Sequence, residues 1–312
     1  MTVKILVALQ SFGEFSDAPK RLLQNSGAEI LYNNLGHRLT REEIIRLGAG
    51  CHAIIAGVEP YDKEVLRHLP DLRCISRSGV GTDTIDLNYA KTKGIAIFNT
   101  PDVVVQPVAE MTLAMIFDLL RHLTFHTTIL KDGQWNKRAG HLLGSRKVGI
   151  IGLGRIGRRV AELCRALNAE VTGYDLYPDH SWASKHGIRI VDLRTLLTAS
   201  DIISVHVSLS AENPFILGKT EFGMMKPGAI LINTSRGQVI DETALFEALK
   251  SGHLGGAALD VFRNEPYDGP LCTLDNVVLT PHISTLTVES RGEMERDSVM
   301  NALKFLNLPV RE

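Results

Sequence analysis

Three polar residues stand just past apolar runs in the second half of the chain. LINTSRG carries Arg236, ALDVFRNEP carries Glu265 and VVLTPH ends in His282. An imidazole gives or takes a proton near neutral pH. A carboxylate beside it fixes its tautomer and favours its charged form. A guanidinium grips a carboxylate in a two-pronged fork and polarises an adjacent carbonyl. Together these groups suit one chemistry: hydride delivery to the ketone of a small 2-oxo acid, with a proton for the oxygen. Singly, each has a plainer explanation, since Arg236 can be a loop ion pair, Glu265 a solvated turn residue and His282 a satisfied histidine after a proline. Their company decides between the two.

That company is KVGIIGLGRIG, residues 147–157. A short apolar strand runs into Gly152, Gly154 and Gly157, spaced G-x-G-x-x-G, and a helix follows. Gly152 permits the tight turn, Gly154 leaves room for a pyrophosphate, and Gly157 lets helix and strand pack closely. The helix N-terminus offers unpaired N–H groups to phosphates. A second strand ends in Asp175, near the spacing of about 20 residues at which a carboxylate holds a ribose. A carboxylate there accepts from a free 2′-hydroxyl and repels a 2′-phosphate. Leu176, Tyr177 and Pro178 supply no arginine to bind one, so NAD(H) is expected over NADP(H).

The elements that must position these groups are legible as alternating strands and helices. In the second half, strands are expected at 148–151, 170–174, 202–206, 229–233, 256–260 and 276–279, with helices between them. Six parallel strands make a doubly wound sheet, and ligands bind beyond its carboxyl strand ends. Residues 1–98 read as a second, smaller α/β unit without a glycine fingerprint, with Thr40 and Glu43 as a capping box. A long apolar helix is expected from Val108 to about Leu130, packing between domains, against a second subunit, or both. A last helix from Val288 to Phe305 is expected to cross back onto the first unit. The domains are therefore read as 1–98 with 286–312, and 99–285.

Composition narrows the function classes. The 312 residues are 44% hydrophobic with a formal net charge of −1, so there is no basic field for nucleic acid or a membrane surface. Cys51, Cys74, Cys164 and Cys272 are scattered, which suits reduced thiols and neither a disulfide frame nor a metal site. MTVKILVALQ lacks the apolar length and cleavage site of a secretory leader, and no run approaches a membrane span. A cytoplasmic protein is expected.

GLGRIG with Asp175, NTSRGQVID, ALDVFRNEP and TPH, together with SRSGVGTDTIDL and NTPDVVVQPVAEMT, resemble the D-isomer-specific 2-hydroxyacid dehydrogenases over nearly the whole chain. The nearest likeness is to short-form phosphoglycerate dehydrogenases without a C-terminal regulatory domain. The resemblance implies two doubly wound parallel-sheet domains, a Rossmann NAD-binding domain and a flavodoxin-like substrate domain, with a cleft between them, in a homodimer. It implies catalytic roles for Arg236, Glu265 and His282. It places Arg155 and Ile156 at the pyrophosphate, and His206, Val207 and Ser208 at the adenine side. Thr234 and Asp260 fall toward the nicotinamide, and Ser235, His282 and Ser284 are further cofactor-binding residues. Gly57, Val58, Val80, Gly81 and Arg236 fall on the substrate.

Departures bear on the substrate: Ser208 where the family often has proline, Val103–Gln106, and Ser284-Thr285-Leu286 after the histidine. The first substrate expected is 3-phosphoglycerate/3-phosphohydroxypyruvate, with Lys137 and Arg138 either aiding a phosphate or forming a solvated linker. Glyoxylate or hydroxypyruvate reduction is the alternative. A NAD(H)-sensing interaction protein resembling the C-terminal binding protein co-repressors is the reading from another class.

Overall fold

A computed structural model describes residues 2–207 and 217–311. The chain divides into two compact units, Met1–Val104 with Thr285–Glu312, and Val105–Ser284.

In the first unit the strands are β1 (Lys4–Val7), β2 (Glu29–Tyr32), β3 (Ala53–Ala56), β4 (Cys74–Arg77) and β5 (Ala96–Phe98). Between them lie α1 (Ala18–Gln24), α2 (Arg41–Gly48), α3 (Lys63–Arg67) and α4 (Leu87–Thr92). The sheet order is β2-β1-β3-β4-β5, all parallel. β3, AIIA, is buried at every position, because helices cover both faces and no strand position is left for a polar residue. The expected capping box is present: the Thr40 hydroxyl accepts from the Glu43 N–H, and the Glu43 carboxylate accepts from the Thr40 N–H.

The second unit begins with α5 (Val105–Arg121) and α6 (Leu123–Lys131). It continues through β6 (Lys147–Ile151), α7 (Arg155–Ala166), β7 (Glu170–Tyr174), α8 (His180–Lys185), β8 (Arg189–Ile190), α9 (Leu193–Ala199) and β9 (Ile202–Val205). It ends with α10 (Lys219–Met224), β10 (Ile230–Asn233), α11 (Glu242–Lys250), β11 (Gly256–Leu259) and β12 (Val277–Leu279). Its sheet order is β12-β11-β10-β9-β6-β7-β8, again all parallel. The order reverses between β6 and β9. The glycine turn and His206 therefore share the switch-point crevice where such sheets bind ligands.

Two expectations change. The sheet has seven strands, not six; β8 is two residues long on an edge, too short to show a period. The apolar stretch after Pro107 is two helices, because His122 takes a left-handed backbone (φ 54°) and Asp118 caps the new helix by accepting the Thr124 N–H at 2.8 Å. The buried face of α5, with Val108, Thr112, Met115 and Ile116, packs on α7 and on β10–β12 of its own unit. α6, by contrast, buries no residue there.

The last helix, α12 (Val288–Phe305), belongs to the first unit. Its Val299, Ala302 and Leu303 complete the core formed by Ile5, Val7, Leu22, Leu23 and Ile55. Glu295 on the same helix is fully buried, where it accepts the Gly13 N–H at 2.8 Å and an Arg291 N–H at 3.1 Å. Burial is the leading cause that raises its pKa above the usual 4.5. A folded-state value above the unfolded one gives stability that is full below about pH 4.5 and is lost as pH climbs through the folded value. Glu295→Gln stays neutral, so its stability relative to the parent should improve between about pH 4 and pH 7. Urea midpoints at the two pH values check this; a gap that fails to widen contradicts it.

Candidate active site

Asp260 follows β11 and is completely buried. Its Oδ1 accepts from the Thr280 hydroxyl at 2.6 Å and the Ile283 N–H at 2.8 Å. Its Oδ2 accepts from the Ser284 N–H at 2.9 Å and the Ser284 hydroxyl at 2.5 Å. A carboxylate has about four acceptor sites, so these four donors fill it. The segment carrying His282 is thereby tied to the end of the neighbouring strand. His282 itself adopts φ 54°, a left-handed conformation uncommon outside glycine.

His282 Nδ1 lies 2.9 Å from Glu265 Oε2. The other oxygen of Glu265 accepts the Phe262 N–H at 3.0 Å, so the carboxylate is held from two sides. With an acceptor at Nδ1, the proton of the neutral ring sits there and Nε2 is left for other partners. Among the described residues Nε2 has none. Both side chains are exposed, His282 at 47% and Glu265 at 38%.

Arg236 leaves β10 through a short, tightly bonded turn. Asn233 is buried; its Nδ2 donates to the Arg236 carbonyl at 2.9 Å, and its Oδ1 accepts the N–H and hydroxyl of Ser235. An Arg236 Nη1 proton goes to the Ser235 carbonyl at 2.8 Å. Thr234 is buried and bonds to Thr112 of α5 at 3.0 Å. Gly237 then presses on the Glu265 loop: a Cβ there would sit 1.9 Å from the Phe262 carbonyl carbon and 2.3 Å from the Arg263 nitrogen. Asn233, Thr112 and Gly237 are supports that motif reading passes over. All three stand inside motifs quoted from the sequence, where nothing marks them as supports.

The residues of the glycine turn fit a dinucleotide. Gly152 has φ 92°, and a Cβ on it would meet the His206 carbonyl oxygen at 2.4 Å; on Gly157 it would meet the Gly152 oxygen at 1.9 Å. At Gly154 there is open space, with no atom within 4 Å. Only the position that faces outward is unobstructed, which is what a cradle for a pyrophosphate needs. Arg155 and Ile156 open α7 beside it. Asp175 ends β7 and accepts the Leu153 N–H at 2.7 Å and the Tyr177 N–H at 2.8 Å, so it stands against the same turn.

His206 shares this rim. Its Nε2 lies 2.8 Å from the Ser204 hydroxyl, and burial pushes its pKa down to about 3, so the ring is neutral. Its buried Nδ1 has no partner among the described residues. Val207 follows it, and Ser208 lies outside the described residues.

Gly57, Val58, Val80 and Gly81 belong to the first unit. The Gly57 N–H is taken by the Glu59 carboxylate at 2.7 Å. The loop after β4 is braced by Thr100, whose hydroxyl accepts the Gly79 N–H at 2.9 Å, and by Asn99, whose side chain donates to the Val80 carbonyl at 2.9 Å. Gly79, at φ 132°, makes the bend. The N–H groups of Val80 and Gly81 find no acceptor among the described residues, leaving two adjacent donors for an anion.

Comparison with known proteins settles the family. The profile of the D-isomer specific 2-hydroxyacid dehydrogenase, NAD binding domain, matches residues 113–284. The chain belongs to the D-isomer specific 2-hydroxyacid dehydrogenase family. It is 39% identical to a D-3-phosphoglycerate dehydrogenase of Archaeoglobus fulgidus over 99% of this chain, and it spans 58% of that relative's length. It is 38% identical to a glyoxylate reductase of Thermococcus litoralis, over 79% of this chain and 78% of the relative. The D-lactate dehydrogenase of Aquifex aeolicus, solved with NAD and lactic acid, superposes with a TM-score of 0.83 at 28% identity, over 97% of this chain and 95% of that one. Among the described residues no three His, Cys, Asp or Glu side chains form a metal cluster, and no helix is long and apolar enough to cross a membrane.

The cofactor of the family's NAD binding domain gives the turn a direct test. Gly157→Ala forces a methyl group onto a backbone oxygen, so NADH affinity should fall at least about tenfold in a fluorescence titration. Gly223→Ala on α10, where a Cβ meets nothing within 4 Å, serves as the control and should leave it unchanged. Equal affinities for both variants would contradict the cradle.

Proposed function

We propose that this dehydrogenase reversibly reduces a small 2-oxo acid to the D-2-hydroxy acid with NADH. The observation that carries the proposal is the His282–Glu265 pair, 2.9 Å apart, on the strand-end rim that also holds the glycine turn. NADH held at the glycine turn by Gly152, Gly154 and Gly157 would supply the hydride.

The chain's own residues do the rest. The Arg236 guanidinium pairs with the substrate carboxylate and polarises the carbonyl, and the open N–H groups of Val80 and Gly81 in the first unit are donors of the kind a carboxylate takes. His282 Nε2 gives its proton to the carbonyl oxygen as negative charge builds there, and the ring ends neutral with Nδ1–H on Glu265. Glu265 stabilises the imidazolium that exists before transfer and keeps the ring aimed. Oxidation of the hydroxy acid runs the same steps backwards, with neutral His282 as the base.

D-3-phosphoglycerate/phosphohydroxypyruvate and glyoxylate/hydroxypyruvate both fit this scheme, and both names occur among relatives of similar identity. A second copy of the chain is the partner we propose. It is supported by α6, which buries nothing in its own unit and exposes Leu123 and Leu130, and by the exposed Trp135 and Leu142. The four cysteines are free, and burial pushes Cys51 to about 11 and Cys74 and Cys164 to about 12. Thiols so protected suit the reducing cytoplasm, where we place the reaction.

His282→Ala should lower kcat by about 10²–10⁴-fold, the usual share of a positioned acid, while NADH binding persists. NADH oxidation over a panel of 2-oxo acids reads the first, and fluorescence titration the second. Near-normal turnover would refute the assignment of the acid. Tight NADH binding by the unaltered protein with no turnover of any 2-oxo acid would favour the NAD(H)-sensing interaction protein.

Cofactor choice gives a second test. The unaltered enzyme should prefer NADH over NADPH, and Asp175→Ala should shrink that preference at least about tenfold by removing the charge that repels a 2′-phosphate. Equal kcat/KM for both cofactors in the unaltered enzyme would sink the reading of Asp175.

A further inference from the structure

Glu59 is a buried carboxylate at the carboxyl end of the first unit's sheet, and none of the chemistry above uses it. It is 3% exposed. Its Oε2 accepts the Gly57 N–H at 2.7 Å and the Tyr61 hydroxyl at 3.2 Å. Tyr61 is wholly buried beneath it. Burial first, and the Glu59 charge second, push the Tyr61 phenol well above its usual range, so it stays a donor. Gly57 is the residue that admits this arrangement, since a Cβ there would stand 2.8 Å from Glu59 Oε1.

The place matters more than the bonds. In this sheet the order reverses at β1, whose neighbours are β2 and β3. Gly57, Val58 and Glu59 leave β3 at that switch point, where an open α/β sheet binds its ligand. β4 lies alongside, with Ala56 paired to Arg77 and the Ser78 N–H on the Ala56 carbonyl. The Gly57–Glu59 loop therefore emerges next to the loop of Val80 and Gly81, one strand spacing of about 5 Å away. A 2-oxo acid whose carboxylate rests on the two free donors has the Gly57–Glu59 loop as its neighbour.

What that loop offers is apolar in front and negative behind. Val58 and Val80 are exposed, at 43% and 39%. The nearby cations are Arg77, which donates from Nη1 to the Ser78 carbonyl, and Arg38; both charges reach Tyr61 and act there against that of Glu59, which ranks ahead of either. We propose that Glu59 is the specificity-determining residue of this enzyme. Its carboxylate holds Gly57 in place and disfavours a substrate whose side chain carries a phosphate, so the enzyme takes 2-oxo acids with a short, uncharged side chain. The proposal rests on the 2-oxo acid reductase reading above.

Two like charges a few ångströms apart in a partly buried site repel strongly enough to shift relative affinity by an order of magnitude. The test compares kcat/KM for hydroxypyruvate and for phosphohydroxypyruvate, which differ only in the phosphate, with NADH as reductant. The unaltered enzyme should favour hydroxypyruvate at least about tenfold. Glu59→Gln keeps an acceptor for Gly57 and removes the charge; the ratio should fall about tenfold, chiefly through a lower KM for the phosphorylated substrate. The change should sit in KM with kcat nearly unaltered, a substrate-selective split that a purely structural glutamate would not produce.

Preference for phosphohydroxypyruvate in the unaltered enzyme would overturn the proposal while leaving the reductase reading intact, and would give Arg77 the deciding role. A ratio indifferent to Glu59→Gln would overturn it too. No turnover of either acid would overturn the reductase reading and this proposal with it.

Discussion

The second unit's chemistry hangs on the buried carboxylate of Asp260. A charged group with no water around it is tolerable only when its acceptor sites are filled. Four donors from Thr280, Ile283 and Ser284 fill them. Each of those donors would be left unsatisfied without it, at about 1–3 kcal/mol apiece. This is why a histidine with a left-handed backbone can sit at an exposed strand end and still be held in place. The strain at His282 is local, and the bonds that outweigh it come from the next strand.

The other two polar residues are placed by contact between backbones. Gly237 lies so close to Phe262 and Arg263 that any side chain there would have to push the Arg236 turn off the Glu265 loop. The Phe262 N–H then holds Glu265, and Glu265 holds His282. Arginine, carboxylate and histidine come from three consecutive strand ends, β10, β11 and β12; the backbone contact at Gly237 and the buried Asp260 join those ends, and the more exposed Glu265–His282 bond joins two of the side chains. A parallel sheet sets the ends side by side; these links set the side chains.

Much of this was legible in the sequence. Parallel sheets announce themselves as short apolar runs separated by helical stretches, and β3, β7 and α12 lie where those patterns put them. What was not legible shares one cause: it depends on contacts that leave no period. β8 is two residues long. The break at His122 is made by a side chain four residues earlier, Asp118, acting as a cap inside an apolar run that reads as continuous. Thr112 looks like an ordinary polar residue until its partner Thr234, far along the chain, is known, and Asn233 until its side chain is seen to brace the turn that follows it. Glu59 reads as one more surface acid next to a proline, and only its burial against Tyr61 and Gly57 sets it apart.

The return of α12 to the first unit has a consequence for how the protein comes into being. A chain made from its N-terminus completes residues 1–104 early, yet the core face of Ile5, Val7, Leu22 and Ile55 is closed by Val299, Ala302 and Leu303. Until residues 299–303 have left the ribosome, that apolar face has no cover. The second unit is one uninterrupted segment and carries no such debt. Folding order therefore departs from synthesis order: the second unit is free to fold first, and the first unit waits for α12.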